Sequence, residues 1–357
     1  MRSSLCCLAL LLNLSALSQV MSQDKQASAE PAVNVETQID ADFSLQGEYA
    51  GWTNQRGTGS EYLGLQVIAL GDGKFDAVVF QGGLPGAGWN GTAKQKHSGA
   101  REGERVRLTG ESRVIILTQG IATLSDSQGN ELGRLGKVRR VSPTLGAIPP
   151  RHSVVLFDGK STDQFTGGKL AADGSLLAGV LTKMPVQNFQ LHLEFRTPYM
   201  PHARGQGRGN SGVYIQQRYE VQILDSFGLE GVENECGGLY KQQRPDTNMC
   251  FPPLFWQTYD IWFSAAKFSA DGKTKLSNAR ITVLHNGIPI HQNRQVVAKT
   301  GGGKVEGPET LPINLQDHGN PVTFRNIWLV EGEGASPVSP MTPSAACRRR
   351  WLFRRCR

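Results

Sequence analysis

The chain has 357 residues, enough for two hydrophobic cores, and carries 38 Lys and Arg against 31 Asp and Glu, a formal charge of +7. Six of the arginines lie in the final segment Cys347–Arg357 (CRRRWLFRRCR); setting it aside takes the charge from +7 to +1, which excludes nucleic-acid binding by the body as the meaning of the basic balance. The 42 Gly and 18 Pro fit a turn-rich β protein, and no run after Gln23 approaches the roughly 20 apolar residues of a membrane helix.

Residues 1–22 read as a signal peptide: Arg2 gives a charged start, Leu5–Leu17 is apolar but short, and Ala16-Leu17-Ser18 offers small residues for cleavage. Export to the periplasm or the exterior is therefore expected, with no membrane span after cleavage. Neither Cys6 nor Cys7 ends the apolar run, as a lipidated cysteine would. Residues 23–40 are polar and read as a linker.

From 41 to 142 short strand candidates alternate with glycine turns: Leu63–Leu70, Phe75–Phe80, Val106–Leu108, Val114–Leu117 and Leu135–Val141. They predict a small accessory β domain. Gly82–Gly91 (GGLPGAGWNG) is glycine-rich but lacks the order of a phosphate loop, and Trp89 within it is either a sugar-stacking platform or a packed loop tryptophan. Residues 143–152 (around PTLGAIPPR) form a proline-punctuated connector.

The second domain, 153–332, opens with Val154–Phe157. Strands are expected at Gln190–Thr197, Ser211–Gln216, Tyr219–Leu224, Gln257–Phe263, Arg280–His285, Ile288–His291 and Val322–Val330. No long helical period intervenes, so the pattern predicts an antiparallel sandwich or jelly roll. Asn286-Gly287 is a strong hairpin signal, with His285 and His291 expected to face solvent around it. Residues 333–357 read as a disordered basic tail.

The most informative stretch is Asn210–Gly228 (NSGVYIQQRYEVQILDSFG). Tyr219, Val221 and Ile223 alternate with Glu220 and Gln222, so an acid and an amide share one face, and Asp225 follows at the strand exit. That is the floor of a polar site or a merely solvated face. In a secreted chain Cys236 and Cys250 are expected to form a disulfide, free thiols being the alternative.

NSGVYIQQRYEVQILDSFG, NECGGLY (Asn234–Tyr240), PDTNMCFPPLFWQTYDIWF (Pro245–Phe263), ARITVLHNG (Ala279–Gly287) and LQDHGNPVTFRNIW (Leu315–Trp328) occur in one order. Together they resemble the 3-keto-disaccharide hydrolase family over roughly 153–330. The resemblance implies an all-β, concanavalin A-like (laminin G/glucanase-like) jelly-roll sandwich behind an additional N-terminal small β domain. It also implies an exported enzyme that cleaves 3-keto-glycosides by taking the C2 proton, eliminating across C1–C2 and rehydrating, with net hydrolysis. A separate sugar 3-dehydrogenase would supply the ketone, so no bound nicotinamide is expected.

By position in these motifs, Glu220, Asp225 and His318 are candidate acids and bases, and Arg325 is a candidate for stabilising the enolate oxygen. Asp317 would orient His318 or cap a turn. Asn210, Gln222, Glu235, Tyr240, Lys241, Gln316, Asp317 and Asn320 are candidate sugar contacts. Glu220, Asp225, Glu235 and His318 could together hold a divalent metal if they converge. Two other functions fit the same pattern: an ordinary jelly-roll glycosidase, which needs two carboxyl groups, and a non-catalytic carbohydrate-binding envelope module.

Overall fold

The computed structural model describes residues 39–55 and 59–332; the predicted signal peptide, the linker up to residue 38 and the basic tail with Cys347 and Cys356 lie outside the described residues. Strands β1 (Gly47–Gln55), β2 (Gly59–Ala69), β3 (Lys74–Gln81), β4 (Gln95–Glu102), β5 (Arg105–Thr109), β6 (Arg113–Thr118), β7 (Ile121–Asp126) and β8 (Glu131–Val138) pair in sequence order. β1 closes on β8, Glu48 lying opposite Val138, so the predicted small β domain is a closed eight-stranded barrel. Closure removes the unpaired edges that an open sheet of this size would expose.

The barrel interior is filled by alternate side chains, among them Tyr49, Leu63, Leu65, Phe75, Val79, Leu108 and Ile115. In β3 the period of two divides the labour: Phe75, Ala77 and Val79 fill the barrel, while Val78 and Phe80 pack into the core of the neighbouring sandwich.

The sandwich contains β9 (Val154–Phe157), β10 (Phe165–Thr166), β11 (Leu176–Leu177), β12 (Val180–Val186), β13 (Phe189–Arg196), β14 (Ser211–Ile215), β15 (Tyr219–Ile223) and β16 (Gln257–Ser264). A short ribbon of β17 (Lys267–Phe268) and β18 (Lys275–Ser277) precedes β19 (Ala279–His285), β20 (Ile288–Val296), β21 (Leu311–Leu315) and β22 (Thr323–Glu331). One sheet has the order β10-β12-β21-β14-β15; the other has β11-β22-β13-β16-β19-β20, with β9 also paired to β22. All of these pairings are antiparallel, as expected for a jelly-roll sandwich. The only helix among the described residues is a 3₁₀ turn at Gly205–Gly207, and none is long and apolar enough to cross a membrane.

Val213, Ile215, Tyr219, Val221 and Ile223 of the five-stranded sheet meet Leu191, Leu193, Phe195, Tyr259, Ile261 and Phe263 of the seven-stranded sheet in one core. The Asn286-Gly287 turn forms between β19 and β20, with φ of 51° and 76°, the pair of positive angles a two-residue hairpin requires. The histidines beside it correct the expectation of solvent exposure: His285 and His291 are both fully buried. Burial pushes their imidazoles down, to about 3 and about 4, so both are neutral, and their Nε2 atoms lie 3.0 Å from Gln257 Oε1 and 2.7 Å from Gly237 O.

Alternation also leaves polar groups on the outer face of the seven-stranded sheet, where residues 142–147 cover them. His192 Nδ1 lies 2.7 Å from Asp260 Oδ1, and its Nε2 lies 3.8 Å from Glu194 Oε1. Glu194 accepts from Gly146 N at 2.5 Å, Arg325 Nε at 2.7 Å and Asn326 Nδ2 at 3.0 Å. Thr144 Oγ1 donates to Asp260 Oδ2, and the Asn326 and Trp328 side chains donate to Ala147 O. The segment leaving the barrel is thereby fastened to the sandwich by buried charge rather than by an apolar seam.

Burial alone would lower the His192 pKa, but Asp260 and Glu194 push it up to about 9. Burial would likewise raise Glu194, yet His192, Asn326, Gly146 and Arg325 hold it down at about 2. The signs are opposite. The His192 contribution is complete below 6.5 and is lost as pH rises through about 9, whereas that of Glu194 is complete above 4.5 and is lost as pH falls toward about 2. The His192 contribution should therefore add a decline in melting temperature as pH rises from 6.5 through about 9, and His192→Gln should flatten that decline. A wild-type melting temperature that stays constant as pH rises to about 9 would contradict this assignment.

Candidate active site

Because Tyr219, Val221 and Ile223 fill the core, Glu220 and Gln222 project from the outer face of the five-stranded sheet. Hairpin pairing sets Tyr214 directly opposite Glu220, and Gly212 opposite Gln222. β15 is the last strand of its sheet, and its outer edge is covered by loops. Glu220 N donates to Thr300 Oγ1 at 2.8 Å and Tyr240 N donates to Glu220 O at 3.2 Å; Gln222 exchanges backbone bonds with Gly237 and Gly238 at 2.9 Å. The Tyr259 hydroxyl reaches up from the core to Gln222 O at 2.7 Å.

Glu220 is 3 % exposed and has no cation beside it among the described residues. Burial pushes its carboxyl up to about 7, while the Tyr214 hydroxyl, which donates to it, pulls in the other direction. Burial also raises the Tyr214 phenol, so Tyr214 is a protonated donor at neutral pH.

Around this carboxyl stands a ring of amides. Gln222 Nε2 donates to Gln206 Oε1 at 3.0 Å and Asn210 Oδ1 at 3.3 Å, which aims its oxygen at a protonated Glu220. Turning the amide over instead lets its nitrogen donate to the Glu220 carboxylate at 2.8 Å and to Ser211 O at 2.9 Å. This second orientation is the one its surroundings favour, because the first also sets the amide oxygen against the Ser211 carbonyl. Asn210 N donates to Asn320 Oδ1 at 2.8 Å, and Ser211 Oγ donates to Gln316 O at 2.7 Å. Gln316 Oε1 is buried without a hydrogen-bond partner, an acceptor left open next to the hairpin.

Two glycines permit this packing. A Cβ on Gly212 would collide with Glu220 Oε1, and one on Gly301 would stand 2.8 Å from the Tyr240 ring.

Glu220, Gln222, Asn210, Tyr240, Gln316 and Asn320 therefore gather in one region, while the remaining predicted site residues lie elsewhere. Asp225 is 3 % exposed at the junction with the barrel, where its Oδ2 accepts from Arg208 Nε at 2.7 Å. Glu235 caps its own loop, accepting from Gly231 N and Val232 N. Lys241 is exposed, with its Nζ 5.4 Å from the Tyr240 ring centre. Asp317 and His318 are exposed, and Asp317 caps Gly319 N at 2.8 Å rather than orienting His318. Arg325 is a larger correction: β22 sets it on the opposite outer face, bound to Glu194 and 4.1 Å from the Trp256 ring centre, so the sandwich core separates it from Glu220.

Cys236 and Cys250 are free rather than bridged. Both are buried in the sandwich core, where they pack as small apolar groups, with Cys236 Sγ 3.2 Å from the Tyr259 hydroxyl and Cys250 Sγ 3.5 Å from Leu224 O. Trp89 is half-buried against Phe80, with ring centres 5.5 Å apart, which fits the packed-loop reading. Among the described residues no three His, Cys, Asp or Glu side chains converge to hold a metal ion, so the set Glu220, Asp225, Glu235 and His318 is not assembled.

Sequence reasoning missed Tyr214, Gln206 and Thr300. Tyr214 was recoverable from the hairpin register; the other two sit in loops that carry no periodic signal. Since the Tyr214 hydroxyl stabilises the charged form of Glu220, Tyr214→Phe should raise the Glu220 pKa further. A carbon-13 NMR titration of the glutamate carboxyls reads this directly, and an unchanged or lowered value would refute the contact.

Residues 152–330 match the model of the 3-keto-alpha-glucoside-1,2-lyase-like domain family. A solved structure from Parabacteroides distasonis ATCC 8503, described as a candidate glycosyl hydrolase, is 32 % identical, covering 51 % of this chain and 85 % of that one, with a TM-score of 0.47. A second from the same organism, described in the same words, is 20 % identical over 51 % of this chain and 94 % of that one, with a TM-score of 0.36. Trypanosoma rangeli sialidase is 9 % identical over 79 % of this chain and 50 % of that one, with a TM-score of 0.29. No curated protein matches. The family match spans half of the chain and coincides with the sandwich that carries the Glu220 cluster: the chain belongs to the 3-keto-alpha-glucoside-1,2-lyase-like family and is a carbohydrate-active enzyme.

Proposed function

We propose that the protein is an exported enzyme that cleaves 3-keto-glycosides, with Glu220 as the base. The observation that carries this reading is a carboxyl pushed up to about 7 by burial, with a phenol and an amide as its polar neighbours and no cation beside it among the described residues. A ketone at C3 acidifies the C2 proton. Ionised Glu220 takes that proton, the electrons of the C2–H bond pass into the enolate, and the C1–O bond then breaks to leave a 2-hydroxy-3-keto-glucal. Water added across the new double bond completes a net hydrolysis. The donors beside Glu220 are the Asn210 and Gln222 amides and the Tyr214 hydroxyl; each would leave a protein partner, Gln206 or Glu220, to reach the enolate oxygen or the leaving group, a role that Arg325 cannot take from the far face.

An ordinary glycosidase would need a second free carboxyl near Glu220. Asp225, the other acid of the motif, is instead paired with Arg208 at the barrel junction, which disfavours that mechanism. The ketone would come from a separate dehydrogenase, and the sequence-predicted signal peptide supports export.

Incubation with a 3-keto-glucoside should yield the 2-hydroxy-3-keto-glucal or free 3-keto-glucose. Glu220→Gln should reduce kcat by about 10²- to 10⁴-fold while leaving the circular dichroism spectrum unchanged. The acid limb of kcat/KM should fall near pH 7, because the base must be ionised. Cleavage of unoxidised glycosides, with no turnover of the 3-keto form, would sink the proposal.

A further inference from the structure

Elimination across C1–C2 moves two protons, one off C2 and one onto the oxygen that leaves C1. Those atoms are neighbours in the sugar, so the group that protonates the leaving oxygen must stand within about one side chain of the base. The amides of Asn210 and Gln222 are not acids at neutral pH. The Tyr214 hydroxyl, on a side chain 6 % exposed, is spent on Glu220 itself, and Asp225 is paired with Arg208 at the barrel junction.

One further hydroxyl belongs to the same face. Leu239 forms an antiparallel bridge with Val221, and both fill the sandwich core. Alternation about that bridge sets Tyr240 beside Glu220 on the outer face, where Tyr240 N donates to Glu220 O at 3.2 Å. Directly opposed side chains have Cβ atoms about 5 Å apart, so Glu220 stands between Tyr214 on one flank and Tyr240 on the other. A single glycine abuts both groups: a Cβ on Gly301 would lie 2.8 Å from the Tyr240 ring and 3.9 Å from Glu220 Oε2. The two tyrosines differ in access. Tyr240 is half-buried, and no described residue accepts from its hydroxyl. The chain then turns through Lys241, at φ 57°, whose N donates to Glu233 O at 3.1 Å and whose Nζ comes to 5.4 Å from the Tyr240 ring centre.

We propose that Tyr240 is the catalytic acid that protonates the leaving oxygen, an assignment that rests on the 3-keto-glycoside reading above. Glu220 takes the C2 proton, the C1–O bond breaks, and the Tyr240 O–H gives its proton to the departing oxygen. The products are a neutral alcohol, the glucal, protonated Glu220 and the Tyr240 phenolate. In rehydration the oxygen of water bonds to C1, its proton passes to the phenolate, and Glu220 returns its proton to C2. Both side chains end as they began, with one water consumed. Burial and the charge of Glu220 push the Tyr240 phenol above its ordinary value, so it is protonated at the start of each cycle. The Lys241 ammonium beside the ring favours the phenolate once it forms.

Tyr240→Phe removes the hydroxyl and keeps the ring. An alkoxide leaving group needs the proton and a nitrophenolate does not. The variant should therefore lose about 10²-fold or more in kcat on methyl 3-keto-α-glucoside but less than about tenfold on the 4-nitrophenyl glycoside, whose turnover also serves as the folding control. Proton NMR of the methyl glycoside in D2O should show the variant still exchanging the C2 proton for deuterium, since Glu220 is intact, while methanol release falls; Glu220→Gln should lose both. An equal loss on the two glycosides, loss of exchange together with cleavage, or no loss on either would overturn the role of Tyr240 and leave the lyase reading standing. Wild-type protein that cleaves neither glycoside would overturn the lyase reading, and the acid role with it.

Discussion

A strand can hide only every second side chain, and in this sandwich both sheets spend their hidden positions on one shared core. The charged side chains His192, Glu194, Glu220, Asp260 and Arg325 of β13, β15, β16 and β22 are thereby set on one outer face or the other, and each face must then be covered or left to water. The two faces are handled differently. The seven-stranded sheet gathers His192, Glu194, Asp260 and Arg325 into mutually neutralising contacts under residues 142–147. The five-stranded sheet buries Glu220 beneath loops, with the Tyr214 hydroxyl as a donor and no cation beside it among the described residues.

That difference separates attachment from chemistry. Buried charges paired with good geometry keep their ionised forms, which is why Glu194 is held near 2 and His192 near 9. A buried carboxyl given only a phenol and an amide is left near 7, between its two protonation states at neutral pH. The same residue type is thus a fastener on one face and a proton acceptor on the other. Gln222, with its nitrogen turned to the Glu220 carboxylate and to Ser211 O, is a neutral donor that leaves the carboxyl's charge uncompensated.

The barrel has its own version of this constraint. Its third strand faces two cores at once, filling the barrel with Phe75, Ala77 and Val79 and seating Val78 and Phe80 against the sandwich. Asp76, on that same outer face, lines a cavity between the barrel and the sandwich instead. Packing that joins the two bodies therefore also fixes what lines the space between them.

Much of this architecture could be read from the chain. Apolar alternation marked β2, β3, β5 and β6 of the barrel, and the strands β13 to β16, β19, β20 and β22 of the sandwich, while Asn286-Gly287 marked its hairpin. β4 escaped because Gln95–Glu102 shows no apolar period: the positions that turn inward carry Gln95, His97 and Gly99. The strand is recruited by barrel closure, a force that acts only once its neighbours are in place. For the site, the sequence by itself determined that Glu220 and Gln222 share a face, since the period of two is a local property of the backbone. Only the tertiary structure decided which charges meet: Asp225 was claimed by Arg208 and Arg325 by Glu194. Ion pairs form between segments far apart in the chain, and no local pattern records which partner will arrive.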